Sequence, residues 1–427
     1  MTSSTPDRTD LIEGTEGTEG TGGTGGTDRT DDDRDSGHRL PDAGDAILPF
    51  RIDVPDAVLD DLRDRLARTR WPEPVPGTGW DAGTDTAYLR ELCAYWRDEY
   101  DWRRHEAELN AYPNHLTEID GQRIHFVHAR SADPDALPLV LSHGWPGSVA
   151  EFAKVLGPLT APGPDAFHVV CPSLPGYGWS SPVREAGWGP VRMARAFAEL
   201  MRRLGYERYG AQGGDWGSIV STELARAEPE RVVGLHVNLL IAGPGPDDDP
   251  AGFTAAERAS LARMQEVGRT EAGYLRQQAT KPYTLGHGLV DSPAGLASWI
   301  VEKFRGWSDC GGDVERSFTR DELLTNITLY WVTATAHSAA RIYYENAQAV
   351  AAAGPGAAAR VEVPTGHAHF PGEQLGTPSR RWAERLYNVA HWTEMPSGGH
   401  FAAMEEPELL VEDIRAFFRP LRAAARR

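Results

Sequence analysis

Gly213-Gly214-Asp215-Trp216-Gly217-Ser218 is the stretch on which the reading of this chain turns. The residues leading into it form a short strand and those following it a helix, so an acid stands between small residues where strand gives way to helix. A turn of this kind is strained. Glycines two positions before and two after its central residue let the backbone close tightly while lifting the central side chain above the sheet. A serine at that apex suits ester hydrolysis, but the residue here is an aspartate. Its carboxylate is already ionised and needs no base to attack, yet it is a weak nucleophile, suited to a saturated carbon activated by strain or by a good leaving group.

Upstream, His143-Gly144-Trp145-Pro146-Gly147 follows the strand LPLVLSH, the third in our count, with the proline stiffening the loop. Its Trp145 N–H, together with that of Trp216, is placed to hold an oxyanion formed when water attacks an ester of Asp215. Downstream, Gly398-Gly399-His400-Phe401 follows a strand and precedes the last helix, the position and chain order expected of a general base. Four acids, Glu362, Glu373, Glu384 and Glu394, stand before His400 as candidates to orient it. We select Glu373, in the loop Phe370-Pro371-Gly372-Glu373 after a strand ending near Val363, because Glu362 and Glu394 fall within or at the ends of strands and Glu384 on a helix. His367 and His369 lack further ligands for a metal and are taken as loop residues.

From that centre the rest of the chain arranges itself. Pro55 opens a helix through Val58, Leu59, Leu62 and Leu66 that stops before Trp71, and a second surrounds Leu89, Leu92 and Trp96. HLTEIDGQRIHFVHAR reads as a hairpin turning at Asp120 and Gly121. A helix from about Ser148, the strand FHVVCPS, a helix over about 191–204, the strand entering GGDWGS and the strand VVGLHVNLL then alternate, which implies βαβ units and a mostly parallel sheet. From Ile241 to about Gly356 the pattern turns helical and Pro/Gly-rich, an insertion over the sheet. RVEVPTG and NVAHWTEM resume the strands, and a helix from Pro407 closes the chain with Leu409, Leu410, Ile414 and Phe417 on one face.

The 427 residues carry 62 acidic against 43 basic side chains, a net charge of −19, which excludes a chain built to bind nucleic acid through a basic face. Residues 1–46 are Thr-, Gly- and Asp-rich, with twelve acids against four arginines and no apolar periodicity, and read as a disordered tail. No run approaches the ~20 apolar residues of a membrane span, and no secretion signal opens the chain. Cys93, Cys171 and Cys310 are far apart with no ligand spacing, so neither a disulfide framework nor a zinc site is indicated and a reducing cytoplasm fits.

Taken together these motifs resemble the epoxide hydrolases of the α/β-hydrolase superfamily, in the branch similar to microsomal and juvenile-hormone epoxide hydrolases. FRIDVPDAVLDDLRDRLARTRWPE resembles that branch's helical N-terminal segment, HGWPGS its oxyanion loop, GGDWGS its nucleophile turn, VPTGHAHFPGE its acid loop and GGHFAAMEEPELL its histidine region. The resemblance runs from about Leu48 to the end. It implies Asp215 as nucleophile, Glu373 as acid and His400 as base, and adds two cap tyrosines that hydrogen-bond the epoxide oxygen: Tyr274 in GYLRQQATKP and Tyr343 in RIYYEN. Neighbouring Tyr344 points about 100° away on a helix, so one of the pair faces the site. The acidic tail stands where membrane-bound members carry a hydrophobic anchor.

The expected fold is therefore α/β, an α/β-hydrolase core in two parts (116–240 and 357–427) with a helical cap (241–356) and an N-terminal helical segment (47–115) after the tail. The expected activity is conversion of a small, apolar or aromatic epoxide to a vicinal diol through an Asp215 ester, with no cofactor, metal, nucleic acid or integral membrane segment and with room for a homodimer. Its service, detoxification or secondary-metabolite biosynthesis, is left open. The rivals are a haloalkane dehalogenase, which also pairs an Asp nucleophile with a following Trp, and a non-catalytic binding protein. Six cap aromatics, Trp299, Phe304, Trp307, Phe318, Tyr330 and Trp331, either line a pocket or build the cap's own core.

Overall fold

Strand-forming runs separated by amphipathic helices give one nine-stranded sheet in the computed structural model, which describes residues 44–354, 359–376 and 378–422. The strands are β1 (Leu48–Phe50), β2 (Asn114–Ile119), β3 (Gln122–Ala129), β4 (Leu137–Ser142), β5 (Phe167–Pro172), β6 (Tyr209–Gly213), β7 (Val232–Val237), β8 (Val361–His369) and β9 (Tyr387–Glu394), in the order β1-β2-β3-β5-β4-β6-β7-β8-β9. The pairings up to β3–β5 are antiparallel and the rest parallel. The β2–β3 hairpin turns at Asp120 and Gly121, both at positive φ, as an Asp-Gly pair favours. Every residue of β5, β6 and β7 is buried, the signature of parallel strands covered on both faces.

The covering helices follow from their spacing. Ahead of the sheet's centre stand α1 (Asp56–Ala67), which buries Leu59, Leu62 and Leu66, α2 (Thr86–Asp98), which buries Leu89, Leu92, Cys93 and Trp96, and α3 (Trp102–Leu109). Burying each such leucine contributes about 2 kcal/mol. Between strands come α4 (Ala153–Thr160), α5 (Pro190–Arg203) and α6 (Asp215–Ala227). The segment after β7 holds α7 (Ala255–Thr270), α8 (Gly273–Thr280), α9 (Pro282–Asp291), α10 (Pro293–Trp307), α11 (Arg320–Val332) and α12 (Ala336–Ala353), then β8, α13 (Arg380–Leu386), β9, α14 (Ala402–Glu405) and α15 (Pro407–Phe418). Capping boxes at Thr254/Glu257 and Thr319/Glu322 start α7 and α11. No described helix is long and apolar enough to cross a membrane.

α11 is buried along most of its length, Leu323–Trp331, because it is held from two sides. From the N-terminal segment, Trp96 Nε1 donates to Thr328 Oγ1 (2.9 Å), Tyr95 OH to Asp321 Oδ1 (2.9 Å), and Tyr100 OH pairs with Thr325 Oγ1 (3.0 Å). On the other side of α11, Asn326 Nδ2 donates to Pro146 O (2.8 Å) and Tyr330 OH to Gly147 O (2.7 Å). The N-terminal helices thus hold α11, and α11 holds the loop after β4.

Several expectations need correction. β8 runs on to His369 rather than ending near Val363, because its register with β9 continues through His369–Glu394. His367 and His369 are therefore strand residues, not loop residues. His367 Nδ1 sits 3.2 Å from Val237 O and its ring packs on Trp392, and among the described residues no cluster suits a metal. β1 and α3 were not foreseen, so the HGWPG loop follows the fourth strand. The helix expected from Ser148 opens as a 3-10 turn, Val149–Phe152. Leu409 is only half-buried, unlike Leu410, Ile414 and Phe417. The expected tail lies outside the described residues up to position 43, but Glu118 N–H donates to Gly44 O and Arg203 pairs with Asp45, so the tail's last residues dock on the hairpin and α5.

Candidate active site

The strand–helix turn does what its glycines permit. Asp215 has φ 49°, in the left-handed region that non-glycine residues rarely adopt, and is the first residue of α6. A Cβ on Gly213 would strike the backbone of Gly217, and one on Gly217 would strike the carbonyl of Ser142, so the turn closes against β4 only with glycine at both places. Ser218 Oγ donates to the Asp215 carbonyl (2.7 Å), and the carboxylate sits at the N-terminus of a 13-residue helix, where the dipole favours negative charge.

The two carboxylate oxygens have different neighbours. Oδ1 accepts the Trp145 N–H at 2.7 Å. Oδ2 lies 3.2 Å from His400 Nε2, and His400 Nδ1 lies 2.7 Å from Glu373 Oε2. Glu373 is in turn fixed by the Leu375 N–H on Oε1 (3.2 Å). His400 and Glu373 are buried. Burial draws the imidazole's proton affinity down, but the Glu373 and Asp215 carboxylates outweigh it and hold His400 well above its ordinary pKa. The His400 N–H donates to Trp307 O (2.9 Å), which ties the histidine loop to the end of α10.

Over these side chains the helices between β7 and β8 lay a set of rings. Tyr274, on α8, stacks on Trp145 with centroids 5.2 Å apart, and Tyr343, on α12, meets Trp216 edge-on at 4.7 Å. The two tyrosines are 5.8 Å apart. Burial, reinforced at Tyr274 by Asp215, pushes both phenols well above the ordinary tyrosine pKa, so both stay neutral donors. Tyr343 is buried while Tyr344 is half-buried, as their angular separation on a helix requires. Of the six cap aromatics, Trp307 reaches the site, with its ring 4.9 Å from His400. Phe304 and Phe318 pack with Phe401 as core, Trp299 bonds Gln278, Tyr330 bonds Gly147 and Trp331 lies under Arg65. Trp216 directly follows Asp215, but the backbone N–H that meets the carboxylate is that of Trp145.

Sequence reasoning overlooked the polar residues behind the turn. Ser142 ends β4, Gln212 lies in β6, and Gln212 Nε2 donates to Asn238 Oδ1 (3.0 Å). Glu151, in the 3-10 turn Val149–Phe152, is pushed up to about 8 by burial, with Asp215 adding to the shift and His400 opposing it. An acid inside the otherwise apolar run Val149–Phe152, four residues after Gly147, was the available signal.

Residues 47–152 match the model described as the epoxide hydrolase N terminus, and residues 138–284 match that of the alpha/beta hydrolase fold. A Stigmatella aurantiaca protein bearing the provisional name epoxide hydrolase is 47% identical over 88% of this chain and 86% of its own length. Epoxide hydrolase 1 of Sus scrofa is 38% identical over 87% of this chain and 88% of its own. The crystal structure of juvenile hormone epoxide hydrolase from the silkworm Bombyx mori superposes with a TM-score of 0.82 at 32% identity, covering 89% of this chain and 95% of that one.

Proposed function

The chain belongs to the epoxide hydrolases of the α/β-hydrolase fold, and from that premise we propose that it opens its substrate through an ester of Asp215. Asp215 Oδ2 attacks one epoxide carbon from the side opposite the breaking C–O bond, while Tyr274 and Tyr343 hydrogen-bond the departing oxygen and supply its proton. An alkoxide is far too basic to leave unassisted, and a phenol that remains neutral in the buried site is a suitable donor. Esterification removes the Asp215 charge, one of the two anions that hold the proton on His400, so the imidazole is released to act as a base just when it is needed. His400, oriented by Glu373, then takes a proton from water. The water attacks Asp215 Cγ, the oxyanion rests at Oδ1 on the Trp145 N–H, with Trp216 N–H as the second donor, and the vicinal diol departs.

The observation that carries this reading is the split environment of one carboxylate, with Oδ1 on a backbone donor and Oδ2 facing a His400–Glu373 pair beneath two buried phenols. The aromatic walls, Trp145, Trp216, Trp307 and the tyrosines, favour an apolar or aryl epoxide. Residues 241–356 serve as the cap. Three free, buried cysteines fit a cytoplasmic enzyme.

Single-turnover hydrolysis with excess enzyme in ¹⁸O-labelled water tests the mechanism. We expect the first diol to be unlabelled and the Asp215 peptide to gain one labelled oxygen. Label found in the diol alone would mean that water attacks the epoxide directly and would remove Asp215 from the role of nucleophile.

A further inference from the structure

A second, smaller space adjoins the catalytic pair. It has a volume of about 20 Å³, and its wall includes Asp215, His400, Ser142, Gln212, Asn238 and Glu151, with no residue of the cap helices. A buried water needs little more than about 10–15 Å³ and two to four polar partners. Those partners stand ready. Ser142 Oγ and Gln212 Oε1 are buried and carry no hydrogen bond within the protein, and both residues are almost wholly shielded from solvent. The Gln212 amide cannot turn to relieve this, because its Nε2 is engaged by Asn238, which leaves the carbonyl oxygen as a fixed acceptor.

Glu151 completes the wall from the other side. Its carboxyl lies directly against Gly147, so closely that a side chain at Gly147 would displace it. Glu151 also lines a larger cavity of about 560 Å³, bounded by α3, the 3-10 turn, α4 and α11, with Leu109, Tyr112, Val149 and Met404 in its wall. Water in that cavity meets Glu151 without passing Tyr274 or Tyr343.

We propose that the 20 Å³ cavity holds the water that hydrolyses the Asp215 ester, and that Glu151, with Ser142 and Gln212, is the positioning residue that orients it. The proposal rests on the ester mechanism and deepens its second step. The water gives one proton to His400 Nε2 as its oxygen bonds to Asp215 Cγ, and its other hydrogen is held by an oxygen of Glu151. The bond from Cγ to the glycol oxygen then breaks, the glycol leaves with the proton from His400, and the Asp215 carboxyl that remains, carrying one oxygen from the water, returns to a carboxylate as its last proton restores the tyrosine that protonated the epoxide oxygen. A polar group that fixes the attacking water raises the hydrolytic step without touching the ring-opening step.

The experiment is rapid-quench kinetics with styrene oxide on the full chain, following both diol and the mass of the Asp215 peptide. In Glu151→Leu the ester forms within about twofold of the wild-type rate and is hydrolysed ~100-fold more slowly, so it accumulates. Glu151→Gln keeps an acceptor oxygen and restores most of the hydrolytic rate, a rescue that a purely structural role would not give. Ser142→Ala, a small change at a buried site, slows ester hydrolysis ~5- to 10-fold and carries the test should the leucine variant fail to fold. Hydrolysis at the wild-type rate in Glu151→Leu or Ser142→Ala, or an equal fall of both steps, overturns the proposal. Failure of the ester mechanism looks different: His400→Gln would then accumulate no ester at all.

Discussion

Asp215 faces two unlike regions. On one side stand rings, Tyr274, Trp307 and Tyr343 brought by helices from a segment between β7 and β8 with no strand among its described residues, and Trp145 from the loop after β4. Behind it stand Ser142, Gln212, Asn238, Glu151 and His400, most of them supplied by strand ends and the loops that follow. The difference matches the two halves of the proposed reaction. Opening a strained ether needs a dry wall with neutral proton donors, whereas hydrolysing an ester needs water, an acceptor and a base. One carboxylate serves both because each of its oxygens is committed to a different neighbour.

If the two sides act separately, single substitutions should separate the two steps. The largest effect is expected at the rear. His400→Gln should leave ring opening within a few fold while ester hydrolysis falls by about 10⁴-fold, so that mass analysis finds the enzyme stoichiometrically alkylated at Asp215. Loss of ring opening in that variant would erase the division. At the front, Tyr274→Phe and Tyr343→Phe should each slow ring opening ~10- to 100-fold, and together by about 10³-fold, with the ester never accumulating. Ester build-up in either would place the tyrosines in the second step instead.

The smallest effect is on stability rather than rate. Burial lowers His125 and His367 to about 3 and His128 and His143 to about 4, and His143 belongs to the wall of the rear cavity. Their folded values lie below the unfolded value near 6.5, so the unfolded chain binds more protons, and the stability they contribute is complete above pH 6.5 and drains away as pH falls towards 3. His400, held above 6.5, runs the other way: its contribution is complete below 6.5 and is lost only as pH rises through its raised value. Four sites outweigh one, and the thermal midpoint should drop by on the order of 10 °C between pH 7 and pH 4.5, as scanning calorimetry would show. A midpoint constant over that range would mean that water reaches these histidines.

The contrast between front and rear also tracks what could be read along the chain. The Asp215 turn, the Trp145 loop and the His400 loop were legible because each is a strand end followed by glycine, and their order along the chain is fixed by the topology of a parallel sheet. The front was legible only through resemblance. Tyr274 and Tyr343 lie 69 positions apart on helices whose spacing says which face is apolar, not which neighbour that face meets. Glu373 meets His400 although the strand before it was ended six residues too early, since the loop, not the strand's length, determines where the acid points. Glu151 was passed over because an acid in a short turn reads as solvated until the fold closes over it.

Local pattern and chain order were thus enough for the alternation of strands and helices and for the places of Asp215 and His400 at strand ends, because those features depend on periods of two and 3.6 residues and on glycine at particular turns. The pairing of Oδ1 with Trp145 and of Oδ2 with His400, and the gathering of Ser142, Gln212 and Glu151 behind Asp215, came from tertiary packing. Those contacts join residues tens to hundreds of positions apart, and their geometry is set by how β4, β6 and α11 pack, a quantity that no local pattern encodes.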